Sequence, residues 1–309
     1  MKKVLITGAA GTLGRKVLKY ILSEGKYDVY AIDLNTRHNR HVLRKYRKRV
    51  KVIYGDVAKS EIMEDALKEC DFVIHLAGVN PPLADLNDNL SYEVDYKGTE
   101  NIVRILDFYN QNCHLLYAST ASVYGKQNLE EVSVNTKIDE ESLNPYAKYK
   151  YQSELLIKEK LKNYSIYRLP IILSNPICDN YIFSYNVNAK FEVVSDEDAG
   201  YMFARALDKI DELNKKTFNV GGGEPSITTG KNLNNKMLQN FGLSGKYIKT
   251  KLFIDKNFNS YIFKDSDKLD EILSFRNDSI DSFFLRRKRN AKKYYIRKFI
   301  GKLFIKKEN

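Results

Sequence analysis

Tyr146 and Lys150 stand four residues apart behind Asn144-Pro145, a pair that opens a helix, so the spacing puts phenol and ammonium on one helical face. A lysine ammonium beside a phenol favours the phenolate and is expected to draw the tyrosine pKa down from its ordinary value of about 10. Such a group can exchange a proton with a substrate hydroxyl while a hydride passes to a nicotinamide ring. The same spacing recurs at Tyr247/Lys251 and Tyr294/Lys298, as expected of a chain with 22 tyrosines and many lysines. Only Tyr146 follows a strand ending in hydroxyls, Ala118-Ser119-Thr120-Ala121-Ser122-Val123-Tyr124-Gly125.

This chemistry needs a cofactor, and the amino-terminal stretch carries the signal for one. Residues 7–14 read TGAAGTLG directly after apolar Val4-Leu5-Ile6, with Gly8, Gly11 and Gly14 three apart at a strand-to-helix turn. Gly8 permits the tight turn, Gly11 lets the backbone approach a pyrophosphate, and Gly14 lets the helix pack on the strand. The N–H groups that open the next helix lack intrahelical partners, so with the helix dipole they favour an anion. Asp33 ends the following strand, Val29-Tyr30-Ala31-Ile32-Asp33, where a carboxylate can bond the adenosine ribose hydroxyls. It repels a 2′-phosphate, which favours NAD over NADP. Arg37 and Arg40 follow closely and could instead grip that phosphate.

The elements that must hold these groups are legible as a rhythm. Val4–Ile6, Val29–Ile32, Val50–Tyr54, Phe72–Leu76, Leu115–Ala118 and Ile166–Leu169 read as strands, with helical stretches near 14–24, 61–69, 92–112 and 146–162 between them. This βαβ alternation predicts an α/β fold, a doubly wound sheet of mostly parallel strands. Runs without polar alternation, such as Phe72-Val73-Ile74-His75-Leu76, fit strands covered on both faces. His75, embedded in that run, is expected to be a packed core histidine rather than an acid–base group. Thr217-Phe218-Asn219-Val220 predicts a further strand, and residues 225–285 read as a small α+β lobe.

The 309 residues suffice for one large α/β domain with a smaller lobe. Cys70, Cys113 and Cys178 lie far apart in sequence without metal-ligand or redox spacing, and point to a reduced, cytoplasmic setting. No apolar run approaches the ~20 residues of a spanning helix, and Val4-Leu5-Ile6 is too short for a secretory leader. The net charge of +12 is concentrated at one end, because residues 286–309 hold eleven Lys/Arg and one acid. The body therefore gives no argument for nucleic-acid binding.

With these motifs in place, the chain resembles the extended short-chain dehydrogenases/reductases, specifically the NAD-dependent nucleotide-sugar epimerase/dehydratase family. The resemblance is carried by TGAAGTLG, Asp33, Gly55-Asp56-Val57, His75-Leu76-Ala77-Gly78, Ser119–Gly125 and Pro145-Tyr146-Ala147-Lys148-Tyr149-Lys150. FEVVSDEDAG at 191–200 is similar to the family's strand and Asp-capped helix, Phe218-Asn219-Val220-Gly221 to its later strand, and Asp265–Phe283 to its sugar-lobe helices. It implies a Rossmann-type cofactor domain over 1–172 and about 190–224 and a substrate lobe over about 173–189 and 225–285, while residues 286–309, beyond the resemblance, read from their own charge and spacing as a basic amphipathic tail. It implies NAD held by Gly8, Ala10, Gly11, Thr12, Leu13, Gly14, Asp33, Asp56, Val57, Leu76, Ala77, Gly78 and Lys150, with Asp56 and Val57 at the adenine. Thr120, Tyr146 and Lys150 would be catalytic, with Thr120 bonding the reacting sugar oxygen. The competing reading of Thr120 is a strand-end hydroxyl bonded to backbone, and Ser119 and Ser122 are close rivals.

Three positions depart from that family pattern. Ala121 and Ser122 stand where the dehydratase branch places an acidic pair, which argues against a 4,6-dehydratase. Ile171 replaces a substrate-contacting asparagine, and an aliphatic chain cannot replace a hydrogen-bonding amide. Asp95 stands where asparagine is usual. The expected function is an NAD-dependent epimerase or oxidoreductase of a nucleotide-sugar. The alternatives are a reductase or dehydrogenase of a smaller carbonyl or sugar substrate and a non-catalytic dinucleotide-binding scaffold or regulator. By resemblance, a homodimer would pair helices near 92–112 and 146–162. In the tail, Ile296, Phe299, Ile300, Leu303 and Phe304 recur at helical spacing among lysines and arginines, a pattern suited to an anionic membrane surface or to packing on protein. Flotation with anionic liposomes should fall when residues 286–309 are removed, and equal flotation of both forms would rule the surface contact out.

Overall fold

Val4, Leu5, Ile6, Val73, Ile74, Leu115 and Leu116 are completely buried, as continuous apolar runs must be when helices cover both faces of a sheet. The computed structural model describes residues 1–81, 83–125, 131–174, 188–240 and 261–289. Its strands are β1 (Lys2–Thr7), β2 (Tyr27–Asp33), β3 (Val50–Tyr54), β4 (Phe72–His75), β5 (His114–Thr120), β6 (Glu131–Val132), β7 (Tyr164–Leu169), β8 (Ile171–Leu173), β9 (Lys190–Ser195), β10 (Lys216–Asn219), β11 (Ile227–Thr229) and β12 (Ile262–Phe263). Its helices are α1 (Thr12–Glu24), α2 (Arg37–Leu43), α3 (Glu64–Glu69), α4 (Leu83–Leu86), α5 (Asp88–Ser91), α6 (Gly98–Tyr109), α7 (Pro145–Lys160), α8 (Asp196–Ala206), α9 (Ile210–Leu213), α10 (Gly230–Asn240), α11 (Asp267–Leu273) and α12 (Ile280–Arg289).

Among the described residues, seven strands form one sheet in the order β10-β7-β5-β4-β1-β2-β3, every neighbouring pair parallel. This is the Rossmann-type arrangement, and the strand order reverses between β1 and β4, where such sheets bind ligands. One face is covered through Val17, Leu18 and Ile21 of α1 with Met202 and Phe203 of α8. The other is covered through Leu67 of α3, Ile102 and Leu106 of α6 and Ile157 of α7. Cys70 and Cys113, distant in sequence, meet in this second layer as free thiols with sulfurs 3.5 Å apart. Cys178 lies outside the described residues.

A three-stranded sheet, β11-β9-β8, and the helices α10 and α12 enclose a separate core of Leu173, Phe191, Val193, Leu233, Met237, Ile280 and Phe283. β6 pairs in parallel with β12, so a strand emerging just after β5 is completed from far along the chain. Among the described residues, no helix is long and apolar enough to cross a membrane. Residues 290–309, and with them most of the basic tail, lie outside the description, as do Tyr247, Lys251, Tyr294 and Lys298.

Two local expectations are corrected. α8 is capped by Ser195, not by an aspartate: the serine hydroxyl accepts the Asp198 N–H at 3.0 Å. Asp196, Glu197 and Asp198 instead occupy its first turn, where the helix dipole favours negative charge. The predicted helix near 92–112 opens as a π-helix over Tyr92–Lys97 before tightening into α6. The widening is stabilised by hydroxyls: the Asp95 carbonyl accepts Thr99 Oγ1 at 2.7 Å and Ser153 Oγ at 3.0 Å.

α1 and α8 meet at Gly200, where an added Cβ would lie 2.3 Å from Lys16 Cβ and 3.0 Å from the Lys16 carbonyl carbon. Gly200→Ala should therefore destabilise the fold by about 1–3 kcal/mol through overpacking, read as a lower urea midpoint at unchanged slope.

Candidate active site

A cleft of about 920 Å³ opens over the carboxyl ends of β1 and β4. It is lined by Gly8, Ala10, Gly11, Thr12, Leu13, Gly14, Asp33, Asp56, Val57, Leu76, Ala77 and Gly78, together with Thr120, Tyr146 and Lys150. Gly8 has a φ of +66°, and a Cβ there would stand 2.8 Å from the Ala77 nitrogen. The turn can thus be this close to β4 only without a side chain. Gly14 is needed for a different contact: its Cβ would lie 2.3 Å from the Gly8 carbonyl oxygen. α1 begins without a side-chain cap, so its first turn presents backbone to the cleft.

Asp33 Oδ2 accepts the Ala10 N–H at 2.7 Å, and Oδ1 accepts the Leu34 N–H and Asn39 Nδ2, each at 2.8 Å. Burial pushes its carboxyl up, and the Ala10 and Leu34 N–H groups work against that. A carboxylate offers about four acceptor positions, so these three bonds orient it and leave capacity for a ribose hydroxyl. Arg37 and Arg40 do not line the cleft, and Arg40 bonds Asn35 at 2.8 Å. His38 and Asn39 line it instead. A glycine-walled turn, an uncapped helix start and an oriented carboxylate together fit a dinucleotide.

Tyr146 and Lys150 lie on α7, which Asn144 caps by accepting the Ala147 N–H at 2.9 Å, with Pro145 in the first turn. Lys150 Nζ donates to the Ala118 carbonyl at 3.3 Å, lies 3.5 Å from Asp95 Oδ1 and sits over the Tyr117 ring, 5.1 Å from its centroid. The expected lowering of the Tyr146 pKa is not what the surroundings produce. Burial pushes the phenol up to about 12, and the Lys150 charge and a hydrogen bond with Thr120 only partly oppose it. For Lys150, burial disfavours the ammonium, but Tyr117, Asp95 and Tyr146 outweigh it and the pKa rises.

Thr120 both lines the cleft and caps the turn after β5, accepting the Ser122 N–H and donating to Ser122 Oγ, each at 3.2 Å. Ser119 donates to Glu154 Oε1 at 2.5 Å, inside the protein. Glu154 is itself held by Arg168 through two bonds of 3.0 and 2.7 Å. The network continues from Arg168 to the Tyr124 hydroxyl at 3.0 Å, then to Asn219 at 2.7 Å and Asp265 at 2.8 Å. Sequence reasoning did not name Glu154, and it named Tyr124, Asn219 and Asp265 only as parts of motifs, not as one network.

Thr7 Oγ1 accepts the Leu76 and Ala77 N–H groups at 3.2 and 3.1 Å, so its own proton goes to His75 Nδ1 at 2.7 Å. His75 Nε2 therefore carries the ring proton and donates to Thr99 Oγ1 at 3.1 Å, and Thr99 donates to the Asp95 carbonyl. With both nitrogens committed and the ring buried, its pKa falls to about 3, through burial and the nearby Lys150 charge. His75 is a neutral structural relay, as expected of a core histidine.

Residues 4–180 match the model of the NAD dependent epimerase/dehydratase family, more than half of the chain. The chain belongs to that family. Within it, the chain is 31% identical over 140 residues to the CDP-paratose 2-epimerase of Salmonella typhi, covering 43% of this chain and 40% of that protein. It is 26% identical over 170 residues to the dTDP-glucose 4,6-dehydratase of Mycolicibacterium smegmatis, covering 53% and 50%. The chain thus aligns with half or less of the length of these relatives. Its fold matches that of a dTDP-glucose 4,6-dehydratase from Bacillus anthracis in complex with NAD, with a TM-score of 0.78 at 15% identity over 96% of this chain and 98% of that one. It also matches a UDP-glucuronic acid 4-epimerase from Bacillus cereus in complex with NAD, with a TM-score of 0.75 at 18% identity over 95% and 99%.

At the far end of the cleft, Ile171, Leu173, Leu233 and Met237 form an aliphatic wall. Leu233 and Met237 could not be anticipated, since α10 reaches the cleft only through the fold.

The buried histidines predict how stability depends on pH. The unfolded chain takes up a proton at His75 near pH 6.5 while the folded protein stays neutral down to about 3, so the contribution is complete above pH 6.5 and lost as pH falls. His114, lowered by burial to about 4, acts with the same sign. Wild type should lose roughly 2 kcal/mol through His75 between pH 7 and 5 in urea unfolding, and His75→Asn should flatten that slope.

Proposed function

We propose that this chain is an NAD-linked epimerase or oxidoreductase of a nucleotide-sugar, in which Tyr146 exchanges the proton of a sugar hydroxyl. The observation that carries the reading is the convergence of Thr120, Tyr146 and Lys150 on one cleft with the glycine turn and Asp33. Gly8 to Gly14 and Leu76 to Gly78 would hold the pyrophosphate and its riboses, Asp33 the adenosine ribose, Asp56 and Val57 the adenine, and Lys150 the nicotinamide ribose. When bound, NAD supplies the hydride acceptor for the carbinol carbon and, once reduced, the donor that makes an epimer.

The rest of the work falls to the protein. Thr120 holds the reacting oxygen by a hydrogen bond. Tyr146 accepts the hydroxyl proton as the carbonyl forms and returns it on reduction. Lys150 keeps a positive charge beside the phenol, opposing the burial that raises it. Ala121 and Ser122 line the cleft where a dehydratase needs an acid and a base, which supports epimerisation or oxidation over loss of water. We place the cofactor-binding part over 1–172 and about 190–224 and the substrate lobe over about 173–189 and 225–285. A homodimer through α6 and α7 belongs to the same reading, because Phe108, Tyr109 and Leu155 are exposed there. The aliphatic wall at Ile171 favours a second reading, a reductase of a smaller carbonyl compound.

Tyr146→Phe should cut turnover of CDP-, dTDP- or UDP-linked sugars by roughly 10²–10⁴-fold while NAD binding, followed by calorimetry, changes little. Mass spectrometry of the nucleotide released on denaturation separates the readings. Stoichiometric NAD supports an epimerase that recycles its cofactor, and an empty protein that binds neither NAD nor NADP overturns the proposal.

A further inference from the structure

Asp95 is a fully buried carboxylate on the π-helix, and its side chain meets three separate segments, two of which line the cleft. Oδ1 accepts the Val79 N–H at 3.2 Å, from the wall that follows β4. Oδ2 accepts Ser91 Oγ at 2.9 Å, from α5. Oδ1 also lies 3.5 Å from the Lys150 ammonium on α7. Burial pushes the Asp95 carboxyl up, and its partners, all donors, oppose that and favour the ionised form. Gly78 covers the pair: a Cβ there would lie 2.7 Å from Asp95 Oδ1 and 3.1 Å from Lys150 Nζ. The groups facing the pair from the surrounding elements are Tyr146 of α7 and Tyr117 of β5, with neutral His75 of β4 behind Thr99.

We propose that Asp95 is a positioning residue for the Tyr146–Lys150 couple: its carboxylate fixes the ammonium against the cleft wall and sets the pH at which Tyr146 gives up its proton. Two unlike charges this close partly cancel at the phenol, so Lys150 stabilises the phenolate less than an unpaired ammonium would. An uncharged amide at position 95 keeps the acceptor for Val79 but removes the cancelling charge. The inference rests on the reading of Tyr146 as the acid–base group, and its test has a readout apart from turnover.

The Tyr146 phenolate is followed in nucleotide-free protein by ultraviolet difference absorbance, as wild type minus Tyr146→Phe and as Asp95→Asn minus the Asp95→Asn/Tyr146→Phe double variant. The midpoint should fall by about one pH unit in the Asp95→Asn background. The acid limb of the kcat profile for sugar oxidation should move the same way, with KM little changed. An unmoved midpoint in folded Asp95→Asn overturns the proposal, because a merely structural role would change stability and leave the titration alone. Should Asp95→Asn fail to fold, Gly78→Ala wedges the same ion pair apart and should lower the midpoint too, and an unmoved midpoint there is equally fatal. A shifted midpoint without turnover of any CDP-, dTDP- or UDP-linked sugar upholds the role of Asp95 and removes the functional reading. Turnover with an unshifted titration does the reverse.

Discussion

One hydroxyl joins the two strands between which the cleft opens. Thr7 Oγ1 takes the first two N–H groups beyond β4 and gives its proton to His75, so the carboxyl ends of β1 and β4 are tied by three bonds through a single atom. That tie brings the turn after β1 against the backbone of Leu76 and Ala77, at a separation only glycine tolerates. From the turn, the Ala10 N–H reaches Asp33 and fixes that carboxylate at the end of β2. From His75, the chain of donors runs through Thr99 to the π-helix that carries Asp95. The glycine-turn side of the cleft and the Tyr146–Lys150 side are thus registered against each other by polar groups that each have a partner. Buried networks of this kind specify geometry because any member left without a partner costs free energy.

The features written locally in the chain were the legible ones. Unbroken apolar runs gave β1, β4 and β5, since burial on both faces suppresses polar alternation. The glycine spacing, the Asn144-Pro145 helix start and the Tyr146–Lys150 interval depend on a few adjacent residues, and they gave the cleft-lining set. What the chain did not disclose depends on contacts between distant segments. The upward shift of Tyr146 is one example, because how deeply a side chain is buried follows from tertiary packing and can outweigh a nearby charge. The meeting of Cys70 and Cys113, the partnership of Glu154 with Arg168 and the arrival of Leu233 at the cleft are others. The π-helix escaped because its periodicity differs from that of an α-helix by a single residue, and it is held in part by the Ser153 hydroxyl donated from α7.

The two ends of the cleft differ in character. The end formed by the sheet is built from backbone N–H groups, glycines and carboxylates, a surface for phosphates and hydroxyls. The end formed by β8 and α10 is aliphatic among the described residues, and Ile171 offers no partner to a polar substrate group. A buried polar group without a partner is disfavoured, so on the proposed reading this wall would select against a hydroxyl directed at Ile171. Family membership gives the general class of chemistry, whereas these four side chains shape one end of the cleft.

The pairing of β6 with β12 has a consequence for synthesis. Glu131 and Val132 leave the ribosome about 130 residues ahead of Ile262 and Phe263, their strand partners. At roughly 5–20 residues per second of synthesis that gap lasts about 7–26 seconds. Through it Tyr124 and Val132 lack Tyr261 and Phe263, which finally enclose them, and Asn219, made later, waits about 46 residues for Asp265. In a nascent chain the β6 edge therefore stays unpaired while β7 and β10 are still being made, and an unpaired strand edge is a place where another chain can add.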